Sequence, residues 1–303
     1  MIRVVTALGI GDTHWACQKM RALKELHGGC PLHVHVNESP NHKTVGYLDI
    51  VSVVDEAVCD KSAPYDIMRE MPPNYMSPHW STLDGCRNWR GYDYILVPNG
   101  HLESGRHISE YLPELETDYD VELDLSDAVL GRSEQLMPEP RVLLYPSGTG
   151  PNQGFHGGWW TVYNWYWVVR CLNEINVSPL FVGANTPDDC GYFKKLEQYI
   201  GPLDYGSVVG QTSIPDYMAL IKRARCWVGL NSGGGMVAAS MGTPCVQFWS
   251  DERHTPGPHP GFVPEMQRGW LSEEQLSTYR TFSYGAPDMN PRNVVDAINE
   301  VMR

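Results

Sequence analysis

The sequence predicts a doubly wound α/β protein built in two halves, and three observations carry that expectation. Short β-branched runs alternate with stretches of helical spacing along most of the chain. Two glycine-rich turns fall where a strand should end and a helix begin, the first at Leu8-Gly9-Ile10-Gly11-Asp12-Thr13, the second at Gly229-Leu230-Asn231-Ser232-Gly233-Gly234-Gly235. A polar stretch with two prolines, Gly131 to Pro140, interrupts the pattern between one strand–helix series and the next.

Taken in order, Arg3 to Ala7 reads as a strand and feeds the first glycine turn. Trp15, Met20, Leu23 and Leu26 then give helical spacing, and strands are expected at Leu32–Val36, Ile50–Val54 and Tyr94–Val97. The run Glu110 to Asp127 carries acids without Lys or Arg, which reads as a solvated loop. The second series has strands at Val142–Tyr145, Leu180–Val182, Val208–Val209, Cys226–Val228 and Cys245–Phe248. Helices separate them at Val162–Ile175, Asp188–Ile200, Ile214–Ala224 and Gly235–Met241. Residues 251–264 are rich in proline and glycine and read as a loop near the second turn, and a last helix, Val294–Met302, could pack back across the junction. The expected domains are 1–137 and 138–303. Alternating strands and helices imply parallel sheets covered on both faces, with ligands beyond the carboxyl ends of the strands, where both turns fall.

The composition narrows the function. A formal net charge of −13 argues against a broad nucleic-acid surface or a polybasic membrane patch. The 8 cysteines are scattered without a C-x-x-C, which reads as free thiols in a reducing, cytoplasmic setting. The N-terminus enters a strand directly, and no apolar run reaches the roughly 18 residues of a membrane span.

Glycines let a backbone turn tightly and approach a ligand, and a helix start presents N–H groups to an anion. The second turn continues as Met236-Val237-Ala238-Ala239-Ser240-Met241-Gly242-Thr243-Pro244. This stretch resembles the signature of the ADP-heptose:lipopolysaccharide heptosyltransferases, glycosyltransferase family 9. Gly9-Ile10-Gly11-Asp12, followed by Arg21-Ala22-Leu23-Lys24, is similar to that family's first turn and helix. Tyr145-Pro146-Ser147-Gly148-Thr149, Phe181-Val182-Gly183 and Gly210-Gln211-Thr212-Ser213-Ile214-Pro215-Asp216 match further landmarks in order.

The resemblance implies a GT-B fold, two Rossmann-like domains facing a central cleft, with acceptor in the first half and a nucleotide-sugar donor in the second. It makes Asp12 the general base and the adjacent Gly11 a donor-binding residue in a metal-independent inverting transfer to a hydroxyl on a saccharide or glycolipid, with no cofactor. The donor diphosphate would meet Asn231, Ser232, Gly233, Gly234 and Gly235, with further donors from Ser147, Gly148 and Thr149. Gln211 and Thr212 fall where the family reads base or ribose, and Gly183 is a further donor-binding candidate. Three positions depart from the family: Asn231 replaces a carboxylate, Met236 replaces a histidine, and the loop Pro151–Gly158 lacks a lysine, leaving Gln153 and His156 as the nearest substitutes.

Each site reading has a plainer rival. Asp12 could simply satisfy a helix start, and the second glycine cluster could serve close helix–strand packing. His33 and His35 alternate on a strand without an evident carboxylate partner, so they predict no metal site. Asp118-Tyr119-Asp120 lies in the acidic loop rather than after a donor-half strand. Trp160, Trp165 and Trp167 open a helix whose stripe reads as core, with Trp159 or Trp160 the candidates for a ligand contact. His14 occupies the third glycine position of a dinucleotide fingerprint, which disfavours a nicotinamide enzyme. Rival functions are a non-catalytic nucleotide-sugar binder, a nucleotide-sugar epimerase, and a transferase acting on a modified DNA base, the last disfavoured by charge. Arg87, Arg90 and Arg106 are the candidates for a local basic patch toward a phosphorylated acceptor.

Overall fold

The computed structural model describes residues 1–6, 9–36, 43–60, 87–89, 91–98, 101–102, 105–146, 160–249, 268–283 and 286–303. Its chain divides into two compact units, Met1–Leu125 with Thr255–Ser272, and Ser126–His254 with Glu273–Arg303. No described helix is long and apolar enough to cross a membrane.

The N-terminal unit holds strands β1 (Ile2–Thr6), β2 (Leu32–Val36), β3 (Glu56–Cys59), β4 (Arg87–Trp89) and β5 (Tyr92–Leu96) in the order β3-β2-β1-β5-β4. All pairs are parallel except β4 against β5. Helix α1 (Ile10–Leu26) follows β1 and buries Trp15, Met20 and Leu23, and the short α2 (Lys43–Leu48) follows β2. The strand expected at Ile50–Val54 is instead a turn with a single antiparallel bridge, Val51 to Leu123. Asp55 explains the shift. Its carboxylate accepts from the Leu32 amide at 2.7 Å and pairs with Lys24 at 2.6 Å, and its own amide donates to the Leu32 carbonyl at 2.9 Å, so the chain joins β2 from Asp55 onward.

The acidic segment is anchored rather than merely solvated. Lys19, fully buried on α1, donates to the Leu115 carbonyl and the Thr117 hydroxyl, both at 2.8 Å. Arg21 pairs with Asp118 at 2.7 Å, and the Asp118 amide donates to the Gln18 carbonyl at 2.7 Å. Burial lowers the Lys19 ammonium to about 8, with the nearby Glu114 charge opposing the shift. Residues 268–272 close over the same helix: Gln18 donates to the Trp270 carbonyl at 2.9 Å, and the buried Trp270 ring lies 6.4 Å from Trp15.

The C-terminal unit starts with α3 (Asp127–Leu136) and alternates β6 (Val142–Tyr145), α4 (Val162–Glu174), β7 (Leu180–Phe181), α5 (Pro187–Ile200), β8 (Gly206–Ser207), α6 (Ile214–Arg223), β9 (Cys226–Leu230), α7 (Gly233–Ser240) and β10 (Cys245–Trp249). It ends with α8 (Glu273–Ser277), β11 (Tyr279–Ser283) and α9 (Pro291–Val301). The parallel sheet runs β11-β10-β9-β6-β7-β8. One face buries Leu144, Phe181, Val228 and Phe248 under Trp165, Leu172 and Ile298, and α9 closes that core against α4. Trp160 belongs to it as well, 4.9 Å from Phe248 and 2% exposed, so it is a core residue and not a ligand contact. The other face carries α6 and α7, which pack on each other, with α3 beside α6.

Candidate active site

The first glycine turn leaves β1 and sets the start of α1. Gly9 is the N-cap, with φ 106° and ψ 142°, a backbone conformation that only glycine adopts without strain. Asp12 is therefore not the cap. It stands in the first turn, where a carboxylate opposes the positive end of the helix dipole. Its side chain folds back over the cap: a Cβ on Gly9 would stand 3.1 Å from Asp12 Oδ2. The Gly9 amide donates to Thr44 Oγ1 of α2 at 3.2 Å. Beneath the turn, the fully buried His14 bonds through Nδ1 to the Tyr47 hydroxyl at 2.7 Å, while its Nε2 has no hydrogen-bond partner. Burial lowers the His14 pKa to about 3, so the ring is neutral at physiological pH.

The second turn leaves β9 and starts α7. Ser232 is the N-cap, yet its hydroxyl makes no capping bond, and both Ser232 Oγ and Asn231 Oδ1 are buried without a hydrogen-bond partner. The first amides of a helix have no partner within it, so this terminus gathers N–H donors beside two unsatisfied side-chain oxygens. Helices α3, α5, α6 and α9 are different: Ser126, Thr186, Ser213 and Asn290 cap them through their side chains. The helices at the two glycine turns start without such a cap.

The glycines of that turn divide by duty. A Cβ on Gly234 would collide with the Tyr217 hydroxyl, and one on Gly235 would meet the Gln247 amide and stand 2.6 Å from the Trp227 ring. Those two permit α7 to lie against α6 and the sheet. Gly233, half-buried, is left at the helix start with Asn231 and Ser232. Gly183 is buried after β7, where its carbonyl accepts from the Gly210 amide at 3.0 Å. Gln211 is exposed beyond β8, its side chain donating to the Ser207 carbonyl at 3.3 Å, and Thr212 follows it, half-buried, before the Ser213 cap. Arg132 of α3 reaches the Gln211 carbonyl at 3.3 Å and Asp216 at 3.4 Å, a fixture of this loop that the sequence reading missed.

Residues 92–273, more than half of the chain, match the family model described as glycosyltransferase family 9 (heptosyltransferase). The chain belongs to glycosyltransferase family 9. Solved structures agree on the fold. The ADP-heptose LPS heptosyltransferase II of E. coli is 15% identical, with TM-score 0.65 over 99% of this chain and 98% of that one. A family 9 glycosyltransferase from Veillonella parvula is 11% identical, with TM-score 0.66 over 99% and 96%. The E. coli heptosyltransferase WaaC with ADP is 11% identical, with TM-score 0.59 over 99% of each chain. The fold is GT-B and the protein is a glycosyltransferase. No curated protein matches the sequence significantly.

Two departures from the family 9 pattern lie on α7 and its turn. Asn231 presents an amide oxygen where a carboxylate is usual, and Met236 is buried in α7, 6% exposed. Ser147, Gly148, Thr149, Gln153 and His156 lie outside the described residues, as do Trp159 and Arg90. His33 and His35 do find carboxylates, from β3 and just beyond it: His33 Nδ1 is 2.9 Å from Glu56 and His35 Nδ1 is 3.6 Å from Asp60. The sequence hides these partners because they come from a neighbouring strand. Among the described residues no group of three or more His, Cys, Asp or Glu side chains could hold a metal ion.

Proposed function

We propose that this family 9 protein transfers a sugar from a nucleoside-diphosphate sugar to a hydroxyl of a saccharide or glycolipid acceptor, with inversion and without a metal ion. Asp12 takes the proton of the attacking hydroxyl. The acceptor oxygen forms its bond to the anomeric carbon from the face opposite the diphosphate, which leaves with the electrons of the broken C–O bond. The start of α7 receives the departing charge through its amides and Ser232, and the Ser147–Thr149 turn adds donors. Gln211 and Thr212 contact base or ribose, with Gly183 admitting the nucleotide closely. His156 and Gln153 stand in for the missing lysine.

The observation that carries the reading is the uncapped start of α7, where Asn231 Oδ1 and Ser232 Oγ are buried without partners. Buried polar atoms left unsatisfied cost about 1–3 kcal/mol each, and a bound ligand relieves that cost. ADP-heptose is the first donor to test, because one solved relative is an ADP-heptose LPS heptosyltransferase and another, a heptosyltransferase, was solved with ADP. A thermal-shift screen of sugar nucleotides with wild type and Asn231→Asp identifies the donor series. Turnover by wild type and none by Asp12→Asn, with donor binding retained, is the expected outcome. Full turnover by Asp12→Asn sinks the base assignment.

Met236 favours one second reading, a donor other than ADP-heptose. A buried thioether offers neither charge nor a proton where the family carries a histidine. That reading predicts a thermal shift and turnover with another sugar-nucleotide series and neither with ADP-heptose.

A further inference from the structure

Helix α2 buries two polar side chains, Thr44 and Tyr47, one turn apart and both fully enclosed. Each spends its hydroxyl on the segment that presents Asp12. Thr44 Oγ1 accepts from the Gly9 amide at 3.2 Å, and Tyr47 bonds to His14 Nδ1 at 2.7 Å. We propose that Thr44 and Tyr47 are positioning residues for Asp12, acting through the Gly9 turn and the His14 ring. The proposal rests on the assignment of Asp12 as the base.

The geometry gives each hydroxyl a task. The Asp12 carboxylate lies against Gly9, with Oδ2 3.1 Å from where a Gly9 Cβ would stand, so a shift of the Gly9 peptide bears directly on the carboxylate. That peptide sits at φ 106°, and Thr44 is the side chain that ties its N–H to the second helix. His14 lies two residues past Asp12 and is held from the opposite end by Tyr47. Its ring packs edge-on to Trp270 at 6.5 Å, which together with Tyr47 encloses it.

A purely stabilising core would not be built this way. His14 Nε2 is buried without a hydrogen-bond partner, a cost that a Phe or Leu at position 14 would remove. What the buried imidazole supplies is a rigid, polar, uncharged neighbour. A protonated ring in the same helical turn as Asp12 would add positive charge to the start of α1, favour the anionic carboxylate and weaken it as a base. Burial keeps that charge away, while the Tyr47 bond keeps the ring from turning.

The test compares Thr44→Val, Thr44→Ser and Tyr47→Phe with wild type and Asp12→Asn, using ADP-heptose as donor and free ADP for affinity. Each removes or keeps one hydroxyl with little change of volume, and a melting curve of each verifies the fold. The expected result is a kcat lowered about tenfold by Thr44→Val and by Tyr47→Phe, as small misplacements of a catalytic group produce. ADP affinity should stay unchanged, and Thr44→Ser should restore kcat. A second readout needs no turnover: the carboxyl carbon of Asp12, labelled with 13C and assigned by its loss in Asp12→Asn, is titrated by NMR. Its midpoint should move by about half a unit or more in both hydroxyl-deletion variants. An unmoved titration in Thr44→Val and Tyr47→Phe overturns the proposal, and so does wild-type kcat in both. Should Asp12→Asn turn over normally, the base assignment falls by itself, and the titration still decides whether α2 positions the carboxylate.

Discussion

The Asp12 carboxylate fills the space that a side chain on Gly9 would need. The carboxylate oxygen Oδ2 stands 3.1 Å from where a Cβ on Gly9 would lie, and Gly9 has φ 106°. Chain conformation and the position of the acid are thus one arrangement.

Gly9→Ala should therefore damage activity more than stability. The strained backbone costs about 1–3 kcal/mol, and the new methyl displaces the carboxylate it meets. Melting of purified Gly9→Ala should show a modest drop, with turnover down by more than tenfold, the scale of a misplaced catalytic group. Wild-type turnover in a folded Gly9→Ala protein would remove Asp12 from the site.

His14 makes the N-terminal unit acid-sensitive. Its folded pKa is about 3 against 6.5 in the unfolded chain. Below pH 6.5 the unfolded chain takes up a proton that the folded chain refuses until about pH 3, so stability falls as pH falls through this window. The slope approaches about 1.4 kcal/mol per pH unit for one proton. Urea denaturation from pH 7 to pH 4 should show that slope in wild type and a shallower one in His14→Asn, whose amide replaces the Nδ1 contact without titrating.

Two glycines predict opposite outcomes for the same substitution. Gly235→Ala drives a methyl into Gln247 and the Trp227 ring and should destabilise the C-terminal unit by about 1–3 kcal/mol, the cost of overpacking. Gly131→Ala, within α3, meets nothing within 4 Å and should stabilise by about 0.5–1 kcal/mol through helix propensity. Thermal melts of the two variants read both signs at once.

Lys19→Met should loosen the acidic segment. The change leaves the Leu115 carbonyl without its 2.8 Å donor and removes the bond to Thr117. Each lost buried bond costs about 1–3 kcal/mol. Hydrogen exchange of amides from Leu115 to Asp118 should rise in the variant. Unchanged protection there would show that Arg21 and the Asp118 amide suffice to hold the segment.

What could be read from the sequence followed from local chemistry. Strands β2 and β6 fall at the expected residues, because compact β-branched runs end at turn residues there. The glycine turns are legible because φ and close approach restrict the residue type. Positions that depend on distant partners were not. Ile50–Val54 has the composition of a strand but becomes a turn through Asp55, Lys24 and Leu32. Strand β11 carries no apolar β-branched run, although it extends the sheet beside β10, its ladder pairing Cys245 with Tyr279. Thr44, Tyr47 and Arg132 carry no motif, and only the packing of α2 on α1 and of α3 on α6 gives them a role.

The return of Trp270 to α1 has a consequence for how the chain is made. A ribosome releases β1 through β5 long before it reaches residue 270, so during synthesis the faces of His14 and Trp15 that Trp270 covers wait uncovered while most of the second sheet emerges. The first unit to leave the ribosome is thus among the last to be finished. A fragment ending at Leu125 would carry every strand of its sheet and still lack the ring that seals it.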